Sequence, residues 1–397
     1  MSSSSPTNTN TCNTHSSSFD VLVVGAGMSG ISAAYYLMKM CPNHSFAILE
    51  GRSSLGGTWD LFKYPGVRSD SDMHTLGFSF KPWTKEKTIS DGASILKYLQ
   101  DTASEFGIKN HIRFNHSVTA ANWSNSELTW TVKASNNGKA LAFTCKFLFM
   151  CSGYYSFKGG YKPNFPGENH FQGTVVHPQK WPKDLDYSNK KVVVIGSGAT
   201  AVSLVPRMAK EAKHVTMLQR SPTYIVSWPS VDKIAKILHC ILPDKIAHAL
   251  VRKKNIMIFE TQYKFARLCP QACRAALLWL TKQQIGPEES QKNFTPSYMP
   301  WEQRACLVPD GDLFQAIRSG GASVVTDTIS SFTENGIELK SGSKLDADVI
   351  VTATGLQMVP VGGSDMKFAI DGKPLDFSSL LSYKGVAYSS VPIMRCM

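Results

Sequence analysis

The sequence predicts an α/β fold made of two similar strand–turn–helix units, one inserted in the other, with a helical insertion in the second. Three observations predict it. A glycine-rich turn, GAGMSG at residues 25–30, follows an apolar strand and opens an apolar helix. A second turn, GSGATA at residues 196–201, repeats the arrangement after another apolar strand. The residue closing the next strand is acidic in the first unit, Glu50, and basic in the second, Arg220. Recurrence of one supersecondary pattern within a chain is the signature of a duplicated nucleotide-binding unit.

The elements follow in order. Residues 20–24 form a strand, 29–40 a helix and 45–49 a second strand, which is a βαβ start. Three strand-like runs at 117–123, 128–134 and 141–150 read as an antiparallel meander inserted in the first domain. The second unit begins with the strand 191–195, continues through a helix to about residue 210, and returns as the strand 214–219. Residues 230–290 have helical spacing punctuated by Pro243, Pro270 and Pro287. Asn335 and Gly336 signal a type I′ hairpin, and 349–351 is a buried strand ending at Ala353-Thr354-Gly355.

Composition bounds the class. With 397 residues, 43% of them apolar, the chain can bury two full cores. No apolar run approaches the roughly 18 residues that cross a bilayer. The nine cysteines lack framework spacing: Cys269 and Cys273 are four apart, Cys145 and Cys151 six apart. Neither spacing suits a redox pair or a zinc tetrad, so they read as packing thiols in a reducing, cytoplasmic setting, with no metal site. Residues 1–18 are rich in Ser, Thr and Asn without Lys or Arg. That excludes a secretory signal and predicts a disordered tail. The formal net charge is +12, which suits anionic ligands. Ten Lys or Arg face three Asp or Glu between residues 230 and 285. Basic, apolar helices of that kind are candidates for peripheral contact with an anionic membrane, although a helical cap with a solvated face is the simpler reading. No nucleic-acid motif is found.

The turns specify ligands. Gly25 permits the tight bend, Gly27 lets a pyrophosphate approach the backbone, and Gly30 lets helix and strand pack closely. The helix N-terminus beyond them, from Ser29, presents unpaired N–H groups to the phosphates. Glu50 suits a ribose hydroxyl pair, so this site takes a dinucleotide without a 2′-phosphate, and FAD fits. In the second turn, Gly196, Ser197, Gly198, Ala199, Thr200 and Ala201 form the cradle, with Ala in the third place. The cation Arg220, with Ser221, suits a 2′-phosphate, so this site prefers NADP(H). The expected partition is a tail at 1–18, an FAD-binding domain at 19–180 and 345–397, and an NADPH-binding domain at 181–344 carrying the insertion 230–290. The two cradles are expected to bring hydride donor and flavin face to face.

Longer motifs add a family resemblance that runs from about residue 19 to 392. Residues 171–182 read FQGTVVHPQKWP, or Phe-x-Gly-x-x-x-His-x-x-x-Trp-Pro. Residues 56–70 read GGTWDLFKYPGVRSD, and QRSPTYIVS at 219–227 is joined by PWEQR at 300–304. Together they resemble the type I Baeyer–Villiger monooxygenases of the flavin-containing monooxygenase superfamily, nearest to the ethionamide-activating type. N- and S-oxygenating flavin monooxygenases usually carry Tyr or Phe where Trp181 stands. The resemblance implies that NADPH reduces FAD, and that one atom of O2 then enters a ketone, giving an ester or lactone, or is passed to sulfur. It implies Arg304 as the cation that stabilises the oxygenating anion and Asp70 as the carboxylate that holds Arg304. It adds Gly57, Thr58, Trp59, Arg68, Ser69, Asp70 and Val118 to the cofactor-binding set. His177 is expected to be a hydrogen-bonding connector that couples the linker to domain motion.

Members of that family continue beyond the SYKGVAYSSVPIM stretch, whereas this chain stops at Met397. The segment that lines the active site and covers the flavin in the family is then missing, and an exposed flavin is expected. The competing readings are an N- or S-oxygenating flavin monooxygenase and a cofactor-binding protein without turnover. A disulfide reductase is excluded, because no redox cysteine pair follows the first turn.

Overall fold

The computed structural model describes residues 17–303, 305–359, 366–384, 387–389, 391 and 394–396. The chain divides into two compact units. One is drawn from Met1–Gly57, Leu99–Ser156 and Met358–Met397, the other from Thr58–Tyr98 and Phe157–Gln357.

In the first unit, β1 (Ser17–Val24) is followed by α1 (Met28–Met40) and β2 (Phe46–Leu49). β1 pairs in parallel with β2 on one side and with β6 (Lys139–Met150) on the other, with Val24 opposite Leu49 and Met150. Val21 to Val24 are all buried, as expected of a strand covered on both faces. A two-residue strand, β3 (Ile112–Arg113), extends the sheet beyond β2. The meander forms as β4 (Ser117–Ser124), β5 (Thr129–Asn136) and β6, and it belongs to the same sheet as β1. Its inward face carries Trp123 and Trp130, whose rings lie 5.6 Å apart. Ser17 and Ser18, expected in the tail, instead belong to β1 and pair with Phe143 and Thr144. Residues 1–16 lie outside the described residues.

The second unit holds a five-stranded, all-parallel sheet. Its strands are β7 (Thr174–Val176), β8 (Lys191–Ile195), β9 (His214–Gln219), β10 (Ala322–Thr326) and β11 (Val349–Thr352), in the spatial order β10-β9-β8-β11-β7. Helix α2 (Ala199–Met208) leaves β8 through the second glycine turn. From β8 the chain moves to β9 on one side, while β11 lies on the other. The carboxyl end of β8 is therefore a topological switch point, the place where open α/β sheets bind ligands. β1 occupies the same position between β2 and β6 in the first unit. The sequence partition assigns 174–176 and 349–352 to the first domain, but both strands pair into the second sheet. Pairing at such range is not readable from local pattern.

The insertion consists of α3 (Lys233–Ile241), α4 (Asp244–Leu268), α5 (Pro270–Ile285) and a short helix, Pro287–Asn293. Pro243 stands at an N-cap, and Pro270 and Pro287 open their helices, where a missing N–H costs nothing. Among the described residues no helix is long and apolar enough to cross a membrane. The hairpin near residue 335 forms, but not as a type I′ turn on Asn335 and Gly336. Thr333 pairs directly with Gly336, so Glu334 and Asn335 make the loop, and neither has positive φ. Gly336 serves a close approach instead: a Cβ there would lie 1.9 Å from the Leu345 carbonyl oxygen.

Candidate active site

The first turn is built on steric need. Gly25 has φ +102°, and a Cβ on it would sit 2.6 Å from the Cys151 carbonyl oxygen at the end of β6. A Cβ on Gly30 would lie 1.9 Å from the Gly25 carbonyl oxygen. Gly27 is different. Its nearest neighbour is the Cα of Gly57, 3.6 Å from the would-be Cβ. Two glycine backbones therefore face each other across a gap that side chains would fill. Helix α1 starts there, with Gly27 as N-cap, no side-chain cap and no acidic residue in its first turn. Its first N–H groups, Ser29 included, are thus available to an anion.

Glu50 stands beside this gap. It is buried; its carboxylate accepts the Ala26 N–H at 2.8 Å and the Arg52 N–H at 3.0 Å. Arg52 in turn donates to the Gly57 carbonyl at 3.0 Å. The structure thus brings Gly25, Gly27, Gly30, Glu50 and Gly57 together, with Arg52 as the tie that sequence reasoning missed. The Glu50 carbonyl accepts the His116 N–H at 2.8 Å, which sets Val118, buried in the meander, two residues along from that contact.

The second turn repeats the plan with one relaxation. Gly196 has φ +126°, and its Cβ would lie 2.3 Å from the Ala353 carbonyl oxygen beyond β11. Ala201, fully buried, fills the third place. Nothing lies within 4 Å of a Cβ on Gly198. Gly198 and Ala199 are exposed and α2 begins there, again without a side-chain cap or an acidic first turn. Ser197 Oγ lies 3.0 Å from Thr223 Oγ1 and 3.5 Å from the Ser221 carbonyl, which ties the turn to the end of β9. Arg220 is exposed at that strand end. Gln219, beneath it, is fixed by Nε2 bonds to the Asn293 carbonyl at 2.7 Å and Thr326 Oγ1 at 2.8 Å. In both turns the uncapped helix start fits a dinucleotide pyrophosphate, while the charge at the end of the next strand has opposite sign, Glu50 against Arg220.

The loop 56–70 divides. Thr58 is exposed and Trp59 half-buried in a short helix, Thr58–Leu61. Phe62 and Tyr64 are buried in the core of the second unit with α2. Ser69 is buried and bonds Ser90, outside the loop, through backbone and side chain. Arg68 is committed to Asp312 and to the Val202 carbonyl. Asp70 is half-buried, with Ser71 Oγ 3.5 Å from its carboxylate. Arg304 lies outside the described residues.

His177 caps a short turn. Its Nδ1 accepts the Gln179 N–H at 3.2 Å, so Nε2 carries the proton and donates to the Gly355 carbonyl at 3.2 Å. Burial holds the imidazole below its usual range, against the opposing effect of the Gly355 hydrogen bond. A Cβ on Gly160 would collide with the ring. The residue thus ties the linker to the segment after β11.

Comparison with known proteins agrees with this geometry. The flavin-binding monooxygenase-like family model matches residues 19–360. The FAD-containing monooxygenase EthA of Mycobacterium tuberculosis is 53% identical over 378 residues, covering 94% of this chain and 77% of EthA. The probable FAD-binding monooxygenase AlmA of Acinetobacter baylyi is 49% identical, with 94% and 75% covered. Among solved structures, ε-caprolactone-bound cyclohexanone monooxygenase superimposes with TM-score 0.79 at 22% identity, covering 96% of this chain and 82% of that one, which establishes the fold. Oxidised steroid monooxygenase bound to NADP gives 0.71 at 25% identity, with 89% and 74% covered. With two switch-point glycine turns, and a family match over most of its length, the chain belongs to the flavin-binding monooxygenase-like family.

Proposed function

We propose that the chain is an NADPH- and FAD-dependent monooxygenase that inserts one oxygen atom from O2 into ketones, giving esters or lactones, and also oxidises sulfides or thioamides. One observation carries the reading: two glycine turns of the same geometry, each at a switch point, differ in the charge that follows them, Glu50 against Arg220. The names of EthA and AlmA, and the NADP held by the steroid monooxygenase, support it.

Bound FAD supplies hydride acceptance and oxygen activation. The chain supplies position and charge. Gly27 and Gly57 admit the pyrophosphate of FAD, α1 offers it N–H groups, and Glu50 accepts from ribose hydroxyls. Gly198 and the start of α2 do the same for NADPH, and Arg220 and Ser221 hold its 2′-phosphate. Arg304, whose guanidinium cannot give up its proton, holds negative charge on the oxygen to be transferred, and Asp70 orients Arg304. The exposed apolar side chains Ile234, Ile237, Ile241 and Ile246, beside Lys233 and Lys236, form the surface we assign to an anionic membrane. Co-sedimentation that is equal with anionic and zwitterionic vesicles refutes that assignment.

The test of the function is a product assay. FAD-loaded protein is given NADPH, oxygen, and either cyclohexanone or an aryl methyl sulfide. Lactone formation is expected. Sulfoxide without lactone identifies an N- or S-oxygenating enzyme. Failure to take up FAD identifies a protein outside this reading.

A further inference from the structure

The loop carrying Asp70 is fastened within the second unit by a contact that the reading above does not use. Helix α2 contains Pro206. Proline has no N–H, so the carbonyl four residues earlier, that of Val202, loses its helical donor. Arg68 replaces it: Nη2 lies 3.2 Å from the Val202 oxygen. The same guanidinium forks onto Asp312, the first residue of helix α6 (Asp312–Arg318). Nη2 is 3.3 Å from Oδ1, and Nη1 bonds Oδ2. Two neighbouring contacts reinforce it. Tyr64 Oη is 3.4 Å from Ser203 Oγ, and a Cβ on Gly66, φ +83°, would lie 2.3 Å from the Ser203 carbonyl.

We propose that Arg68 is a positioning residue rather than a cofactor contact, and that Asp312 and Pro206 complete the device. Pro206 leaves a carbonyl open, Arg68 fills it, and Asp312 holds the fork. Together they fix the Ser69–Asp70 segment against the helix that begins at the second glycine turn. A guanidinium already paired with a carboxylate has few donors left for a ligand, and pulling it away leaves Asp312 and the Val202 carbonyl without it. The sequence motif alone puts Arg68 in the cofactor-binding set; its side-chain partners assign it here. The proposal rests on the reading of residues 196–201 as the NADPH turn and of Asp70 as part of the reacting site.

The test compares Arg68→Met, Asp312→Asn, the double variant and Pro206→Ala in the full FAD-loaded chain. Arg68→Met and Asp312→Asn should each lower product formed per NADPH consumed, by about tenfold, since an ångström of misplacement at a reacting group costs as much or more. The double variant should be no worse than the worse single, because both break one link. Pro206→Ala returns an N–H to the Val202 carbonyl, so Arg68→Met should cost less in that background. Arg68→Lys, which keeps charge but loses the fork, should rescue only in part. A raised KM for NADPH in Arg68→Met with Asp312→Asn unchanged makes Arg68 a direct cofactor contact and overturns the proposal, as does simple additivity. Thermal unfolding of the same set, without cofactor, reads the coupling independently. A wild type that does not oxidise NADPH refutes the proposed function, while absence of coupling in unfolding refutes the fastening.

Discussion

Alanine at Gly30 and alanine at Gly27 should separate the two tasks that glycine performs in the first turn. A Cβ at Gly30 would lie 1.9 Å from the Gly25 carbonyl oxygen and 3.0 Å from its carbon, roughly 1.5 Å inside ordinary contact. Both atoms belong to the backbone of the turn, so no side chain can swing aside. The cost is set at the upper end of overpacking, about 3 kcal/mol. Gly30 lies within α1, so helix propensity returns ~1 kcal/mol. The net loss is about 2 kcal/mol, equivalent to ~4–8 °C in the unfolding midpoint for a unit of this size. Gly27 has φ −79° in extended backbone, and its Cβ would meet only Gly57 Cα at 3.6 Å. Gly27→Ala should therefore keep the stability of the FAD-free protein within about 0.5 kcal/mol. It nevertheless places a methyl group where the pyrophosphate must approach, so FAD affinity should fall tenfold or more. The assay pairs thermal unfolding without FAD with FAD titration followed by flavin fluorescence. Full FAD affinity in Gly27→Ala, or equal destabilisation by both variants, would refute the assignment of the pyrophosphate to this gap.

Other outcomes follow from the same geometry. Gly198→Ala should unfold like the wild type, since nothing lies within 4 Å of the added Cβ, yet bind NADPH more weakly by direct titration. Arg220→Ala should raise the KM for NADPH at least tenfold while leaving that for NADH nearly unchanged; an equal effect on both contradicts the 2′-phosphate assignment. Arg304→Ala should still consume NADPH but release hydrogen peroxide in place of oxygenated product, and an unchanged yield removes its role. His74 is buried, and burial lowers its pKa from 6.5 to about 4. The unfolded chain therefore takes up this proton at higher pH than the folded one, so stability is full above pH 6.5 and falls as pH drops toward 4. Unfolding midpoints between pH 7.5 and 5 should show that decline, and His74→Phe should reduce it, with His177 and His248, also lowered by burial, keeping the remainder.

Features set by neighbours in sequence were legible, and those set by distant partners were not. The strand at 191–195 and the helix after Gly198 follow from an apolar run, a glycine pair and apolar spacing, all local. The meander at 117–150 was readable as three strands, because the buried Trp123, Trp130 and Phe143 are each flanked by half-buried residues. Its membership in the β1 sheet was not, because that depends on the pairing of Val24 with Met150. The dipeptide Asn335-Gly336 pointed to the right hairpin with the wrong turn, because Gly336 answers to the Leu345 carbonyl rather than to its own φ preference. The contacts of Arg68 were hidden for a similar reason. Its partner Asp312 stands 244 residues away, and no spacing rule connects them. The signal that could have found it was Pro206, which advertises an open carbonyl inside an otherwise regular helix.

The two glycine turns show what duplication holds constant and what it frees. In each, the first glycine is required twice over: by a positive φ, and by a carbonyl just beyond the adjacent parallel strand, that of Cys151 at 2.6 Å and that of Ala353 at 2.3 Å from a would-be Cβ. A substitution there would push the turn off its neighbouring strand as well as strain it, so this position is tied to the sheet and cannot serve to distinguish ligands. The second glycine would meet only Gly57 in the first unit, at 3.6 Å, and nothing within 4 Å in the second, and it is the position we propose for the phosphates common to both dinucleotides. The third position already differs, Gly30 against Ala201, without altering the plan. Discrimination is thereby left to the end of the following strand. There a buried carboxylate, anchored by two backbone amides, would repel a 2′-phosphate, whereas an exposed guanidinium would attract one. Gly27, Gly57 and Glu50 are grouped within one unit, and Gly198 and Arg220 lie within the other. The two specificities can therefore be tested one at a time, each against the fold of its own unit.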